Sequence, residues 1–178
     1  MLDKVSVPRA LDRPHRLIAA LLAADEARRE KRARAADPSA LDASTFDTPI
    51  ERRRLRILNC LFLALERAGG KPSLNRDGRD VRVEVGQSSV PIVLERIAAS
   101  PRTRPCSPTP RTTARLELTI AGDGGSGHVW RNADGTPIEA HAGPIAAAIV
   151  FEGEVRHRRS AERLHAWLVE RRAEREKA

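Results

Sequence analysis

The sequence predicts an α+β fold: a central helix on a four- to five-stranded antiparallel sheet, flanked by an N-terminal helix and a long C-terminal helix. Three observations carry this. Thr48 to Gly70 has a helix start, a broad apolar face and a helix stop. Between Lys71 and Arg131 lie separate runs, Val81 to Val85, Val90 to Leu94 and Leu116 to Ile120, in which the apolar residues recur every second position. From Arg156 to Lys177 the chain is densely and alternately charged, as a long exposed helix or one half of a helical pair would be. Strands gathered between helices suit a two-layer architecture.

Taken in order, residues 1–13 hold few signals and read as extended. Pro14 opens a helical pattern in which Leu17, Ile18, Leu21 and Leu22 make a narrow stripe. Asp25 to Arg34 is charged all round, so this half reads as a solvated helix end that frays. Asp37-Pro38-Ser39 breaks the pattern, and residues 37–47 read as a connector.

The central helix follows. Thr48 can cap it, Pro49 suits its first position and Glu51 completes a capping box. Gly69-Gly70 supplies the left-handed residue that ends helices. At about 100° per residue, Leu55, Leu58, Leu61, Phe62 and Leu65 share one arc. Ile57 and Ala64 lie beyond that arc, so the helix is covered on more than one side. Arg52, Arg53, Arg56, Asn59 and Arg67 share the remaining polar arc.

Lys71 to Asn75 reads as a short strand, and Asp77-Gly78 as a turn. Val81, Val83 and Val85 alternate with Arg82 and Glu84, which gives a strand with one buried face. Val90, Ile92 and Leu94 form the next inward row, with Pro91 marking an edge or a strand start. Ile97 to Thr113 holds four prolines and three arginines and no acid, so it reads as a disordered or extended loop. Its Pro105-to-Pro108 spacing fits a polyproline-ligand pattern, which recurs by chance in short matches. Leu116, Leu118 and Ile120 return to strand. Gly122 to Gly127 leads into the strand-like His128 to Arg131 and not into a helix, so it is a hairpin loop and not a phosphate cradle.

Asp134-Gly135 turns again, and Thr136 to Glu139 repeats the tetrapeptide that begins at Thr48, as a second helix start. Ile138, Ile145, Ala148 and Ile149 form its inward stripe, and Gly143-Pro144 kinks or restarts the helix. Val155, Leu164, Trp167 and Leu168 carry a weaker stripe toward the end. The chain therefore divides into an N-terminal helical arm and connector (1–47), an α+β core (48–155) and a charged helical extension (156–178).

Composition narrows the function classes. Net charge is +8, which invites a polyanion partner. Arginine supplies 28 of the 32 basic residues, and a GC-rich genome produces that bias without any selection for binding. Aromatic residues are scarce, which argues against base stacking on single strands. Cys60 and Cys106 make neither a disulfide framework nor a metal set. No export signal or membrane-length apolar run is present, so a cytoplasmic protein is expected. His157 and His165 are eight positions apart, too far for a metal pair on adjacent turns. His128, Glu139 and His141 can approach one another near the last hairpin, without a pocket or partner to make them an acid–base set. Ser107 and Ser126 lack a nucleophile-elbow context. No catalytic residue, metal or cofactor is assigned.

Three passages together resemble an uncharacterised family of bacterial proteins: Val7 to Ile18 with the charged helix after it, Phe46 to Gly70 with the Val81 strand, and Ile145 to Glu176. Longer members of that family look as if they carry a helix-turn-helix-like segment ahead of this region. The resemblance spans most of the chain, but its motifs are structural and bring no functional residues. The helix-turn-helix-like segment is absent here, and Gly143-Pro144 interrupts a helix that is continuous and acidic at its start in the relatives.

Two functional expectations follow. The first is a non-enzymatic module contacting DNA or RNA backbone through Arg52, Arg53 and Arg56 with the loop residues Arg102, Arg104 and Arg111. The alternative is a protein–protein scaffold or homodimer built on the long terminal helices, with no membrane partner. At the level of sequence the firmest statement is the core. Leu58→Ala should cost about 2–5 kcal/mol in chemical denaturation, and a loss far below 1 kcal/mol would remove the central-helix reading.

Overall fold

The computed structural model describes residue 5 and residues 7–97, 115–122, 127–132 and 136–177. In chain order these form α1 (Arg16–Arg34), α2 (Pro49–Arg67), β1 (Lys71–Leu74), β2 (Val81–Val85), β3 (Ser88–Arg96), β4 (Leu116–Ile120), β5 (His128–Arg131) and α3 (Ala142–Lys177). Short 3-10 turns lie at Pro38–Ala40 and Ile138–His141. The fold is α+β, and the strands make one five-stranded antiparallel meander in the order β1-β2-β3-β4-β5. The loop expected from Ile97 to Thr113 lies outside the described residues, apart from Ile97, whose amide donates to the Arg115 carbonyl (2.9 Å).

Side-chain alternation decides which face of the sheet is buried. Val83 pairs with Val90, Val81 with Ile92, Ile92 with Ile120 and Leu94 with Leu118. These rows are all inward and buried, while Arg82, Glu84 and Glu95 face water. One apolar cluster joins those rows to Leu55, Leu58, Leu61, Phe62 and Leu65 of α2 and to Ile145 and Ile149 of α3. Two helices therefore touch the strands where the sequence suggested a single central one. α2 reaches β1, and α3 reaches β2 and β3 as well as α2.

The ends of α2 follow from its sequence. Thr48 Oγ1 accepts from the Glu51 amide (3.3 Å), and Pro49 occupies the first turn, where no amide is needed. The Glu51 carboxylate, expected to close a capping box, is taken up instead by Arg54 (3.4 Å) and Arg79 (3.0 Å). At the other end Gly69 adopts φ 84°, which lets its amide reach the Glu66 carbonyl (3.0 Å) and the Gly70 amide reach that of Leu65 (2.8 Å). That is the Schellman pairing, and it leads the chain into β1.

α1 packs on α2 through Ile18 and Leu21. Its cap is His15, whose Nδ1 accepts from the Leu17 amide (3.2 Å). The His15 amide donates to Asn59 Oδ1 (2.6 Å), so Asn59, placed by periodicity on the polar arc of α2, is buried beneath α1. The connector after α1 is likewise held. Asp25, expected in the solvated half, is buried and accepts from the amides of Thr45 (2.8 Å) and Phe46 (3.3 Å) and from Arg28 (2.8 Å). Burial pushes its carboxyl up, but those three donors outweigh burial and hold it below the ordinary carboxylate range. Phe46 is thereby seated in the core beside Leu21.

The second Thr-Pro-Ile-Glu segment opens the 3-10 turn at Ile138, without a side-chain cap. α3 then starts at Ala142, with Gly143 and Pro144 in its first turn, where proline is tolerated. It runs unbroken through Lys177, so the sequence division at residues 155 and 156 falls inside one helix. Gly153 sets how closely α3 approaches the sheet. A Cβ there would stand 2.4 Å from Val85 Cβ and 2.8 Å from Val85 Cγ2. Replacing an interior glycine by alanine normally gains about 1 kcal/mol of helix propensity. At this site overpacking should prevail, and Gly153→Ala should lower stability by about 1–3 kcal/mol in urea denaturation. Val85→Ala should not rescue it, because the nearest atom is the Cβ that alanine keeps. A Gly153→Ala protein as stable as the parent would show that α3 can stand further from β2.

Candidate functional site

The arginine-rich face of α2 is the place to test the nucleic-acid expectation. Arg52 is exposed, with its Nε donating to the Phe46 carbonyl (3.1 Å). Arg53 is not exposed in the same way. Its Nε and one terminal nitrogen each donate to a Glu139 carboxylate oxygen at 2.6 Å, a two-pronged pair, and the same nitrogen reaches Asn132 Oδ1 (3.4 Å). Only 12% of the Arg53 side chain is exposed. Burial pushes the Glu139 carboxyl up, while the Arg53 hydrogen bonds and the charges of Arg53 and Arg56 bring it down, to a net value below the ordinary range. The Glu139 hydrogen bond in turn raises the Arg53 guanidinium. Arg56 is half-buried beside this pair. Arg102, Arg104 and Arg111 lie outside the described residues.

One residue away, Arg54 is buried. Its Nε donates to the Leu94 carbonyl (2.9 Å), one terminal nitrogen to the Gly78 carbonyl, and the other to Glu51 (3.4 Å). Desolvation pushes this guanidinium down, and Glu51 opposes that. Of the five arginines in α2, Arg54 is a core residue, Arg53 is matched by a carboxylate, and Arg52, Arg56 and Arg67 retain positive charge toward solvent.

The other candidates separate. Glu139 belongs to Arg53, so it is not held for His128 or His141. His128 stacks on Trp130, with ring centroids 5.6 Å apart at 29°. Cys60 is buried, and burial pushes its thiol up, away from the reactive thiolate form. Cys106, Ser107 and Ser126 lie outside the described residues. Among the described residues no cluster of three His, Cys, Asp or Glu is placed to hold a metal, and no helix is long and apolar enough to cross a membrane. A wide, open concavity between the end of α1 and the connector is lined by Ala27, Ala35, Ala40 and Leu41 together with the charged Glu30, Lys31, Arg34 and Asp37.

The larger feature is α3. As far as Arg156 it belongs to the body. Glu152 is buried and accepts from Arg156 Nε (3.0 Å), while the terminal nitrogens of Arg156 donate to the carbonyls of Ser89 (3.1 Å) and Ala121. Beyond it, every residue from 157 to 177 is exposed. This stretch places Leu164 (57% exposed), Trp167 (49%), Leu168 (49%) and Val169 (55%) in water. The Arg171 guanidinium lies over the Trp167 ring at 5.0 Å. The sequence stripe Leu164, Trp167, Leu168 marked this surface, but the Arg156 clasp that separates body from projection carries no periodic signal of its own.

No protein family, curated protein or solved structure matches the chain, and so none supports the resemblance noted above.

The two kinds of α2 arginine should respond differently to mutation. Arg53→Gln leaves a part-buried carboxylate short of its donors and should cost about 1–3 kcal/mol, whereas Arg52→Gln should cost about 1 kcal/mol or less. Glu139 is depressed in the folded state, so its contribution is present above the unfolded carboxylate pKa and fades as pH falls below about 4. Denaturation midpoints measured at pH 7 and pH 3 should therefore differ less for Arg53→Gln than for the parent. An equal difference would mean that the pair is not coupled to folding.

Proposed function

We propose that the protein is a non-enzymatic interaction module, a protein–protein scaffold whose projecting C-terminal helix is the docking element. In this reading α2 is the central helix of the body that carries the projection. One observation supports it above the rest: 21 consecutive helical residues, 157–177, stand fully in solvent with Leu164, Trp167 and Leu168 about half exposed. A lone surface leucine is ordinary. Several on adjacent turns of a helix with no core beneath them are an unfilled interface.

DNA or RNA backbone contact through Arg52, Arg53, Arg56, Arg102, Arg104 and Arg111 is the second reading. The net charge of +8 and the solvent-facing Arg52 favour it. The pairing of Arg53 with Glu139 weakens it, because a matched charge releases little counterion on binding. Arg52→Gln/Arg56→Gln tests this surface while leaving both Arg53 and Glu139 in place.

The two readings part in a crosslinking experiment. A photo-crosslinking residue in place of Leu164 in the full chain, expressed in its native cells, should give protein adducts. The same residue in place of Arg82, on the outer face of the sheet, should give few. Equal yields at both positions would sink the docking role of the helix. Nucleic-acid adducts, together with salt-dependent duplex binding lost in Arg52→Gln/Arg56→Gln, would move the assignment to the second reading.

A further inference from the structure

The partner that the projecting helix fits best is its own copy. We infer that the protein self-associates through residues 157–177 packed antiparallel against the same segment of a second chain, with Leu164 of each helix against Trp167 of the other. The inference rests on the docking role proposed for this helix and adds its occupant and orientation.

The argument begins with helical spacing. His157, Leu164 and Arg171 recur every seven residues, as do Ser160, Trp167 and Glu174, and the two sets form one seam. Leu164 and Trp167 occupy the middle of the seam. Ala161 and Leu168 lie along one flank of it, and Arg163 and Glu170 along the other. In a parallel pair each seam residue would meet its own copy. Arg171 would face Arg171 and Glu174 would face Glu174, like charges at the most enclosed positions. An antiparallel pair centred between His165 and Ala166 removes both conflicts. Leu164 meets Trp167, Ser160 meets Arg171 and His157 meets Glu174, each twice by symmetry. On the flanks Ala161 meets Leu168, and Arg163 meets Glu170, an opposite-charge pair formed twice.

The lengths agree as well. At about 1.5 Å per residue the exposed segment projects roughly 30 Å. With the centre at His165 and Ala166, residues 157–174 of each helix lie against one another, and Arg175 of one comes level with Arg156 of the other, where the helix meets its own body. The overlap thus lies in the exposed stretch from 157 to 174, and only the last three described residues of each helix reach the level of the partner's body. Arg163 and Glu170 are both exposed. The contact of Arg171 with Trp167 covers part of the ring in a single chain and is opened when Arg171 turns toward the partner's Ser160.

The experiment is sedimentation equilibrium of the full chain across a hundredfold range of concentration. The mass should rise from that of one chain, 19.6 kDa, toward twice that value. Leu164→Glu/Leu168→Glu should remain a single chain, with circular dichroism confirming that the body stays folded. Arg163→Glu alone and Glu170→Arg alone should each weaken association at least tenfold, while the combined Arg163→Glu/Glu170→Arg chain should recover it. Recovery is specific to the antiparallel arrangement, because in a parallel pair Glu170 would meet Arg175 and the double exchange would leave the repulsion in place. A parent chain of single mass throughout, a dimer indifferent to Leu164→Glu/Leu168→Glu, or a combined exchange that fails to recover would each overturn the inference. Crosslinks from position 164 to a protein of different mass would overturn it too, while leaving the docking role of the helix standing.

Discussion

The body of this protein depends on one buried arginine. Arg54 sits in the apolar arc of α2, where desolvation of a guanidinium is costly unless its donors are matched. The match comes from three parts of the fold: the Leu94 carbonyl in β3, the Gly78 carbonyl before β2, and Glu51 one turn earlier in α2. The pairing of β2 with β3 ends at Val81 and Ile92. Leu94 lies beyond that point, on a stretch of β3 that β2 no longer flanks, and the helix supplies a donor there. Helix, turn and strand must therefore be in place together, or a buried charge is left without partners. Lysine could not replace it, because one ammonium cannot span acceptors that a planar fork reaches in different directions.

The same device recurs at both ends of the chain. Asp25 holds the connector to α1 by accepting from two backbone amides, which seats Phe46 in the core. Arg156, steadied by the buried Glu152, donates to carbonyls of β3 and of the residue after β4 and fastens α3 to the sheet. Each lock joins a charged side chain to backbone groups, so it fixes geometry where apolar contact alone would allow sliding. Part of the arginine content is thus structural. Arg53, Arg54 and Arg156 are committed within the fold, each beside a carboxylate, so these pairs cancel within the net charge of +8 and the surplus belongs to other arginines.

The fold was largely legible because its signals are local. The Thr48 cap, the Gly69 stop and the period-two rows of Val81 and Val90 each depend on neighbours within one element. The locks were harder to see because their partners are distant in sequence. Yet each left a trace. At about 100° per residue Arg54 falls between Leu61 and Leu65, Asp25 between Leu21 and Ile18, and Glu152 on the line of Ile145 and Ile149. A charged residue inside an apolar arc is a stronger sign of a structural partner than one on the polar arc, where Arg53 looks no different from Arg52. Which of those two finds a carboxylate is set by the docking of Glu139, a contact across 86 positions of sequence. Gly153 was silent for a related reason: its meaning lies in the nearness of Val85, which no helical pattern reports.

The division of α3 follows from these locks. Up to Arg156 the helix is stabilised by burial against the sheet, and Gly153 lets it come so near that a Cβ there would overlap the Val85 side chain. Beyond Arg156 the helix has aids of its own, such as Arg172 with Glu176 (3.0 Å) and Arg171 over Trp167 (5.0 Å). Pairs of that kind contribute a few tenths of a kcal/mol each. The folded first half removes the nucleation cost, so the second half can continue as helix, but none of the described residues shields its leucines. Helix formation and apolar burial, coupled in α2 and in the first half of α3, are here separated, and a contact from outside the chain would join them again. That separation makes the distal helix, and not the arginine face of α2, the part of this structure most in need of a partner.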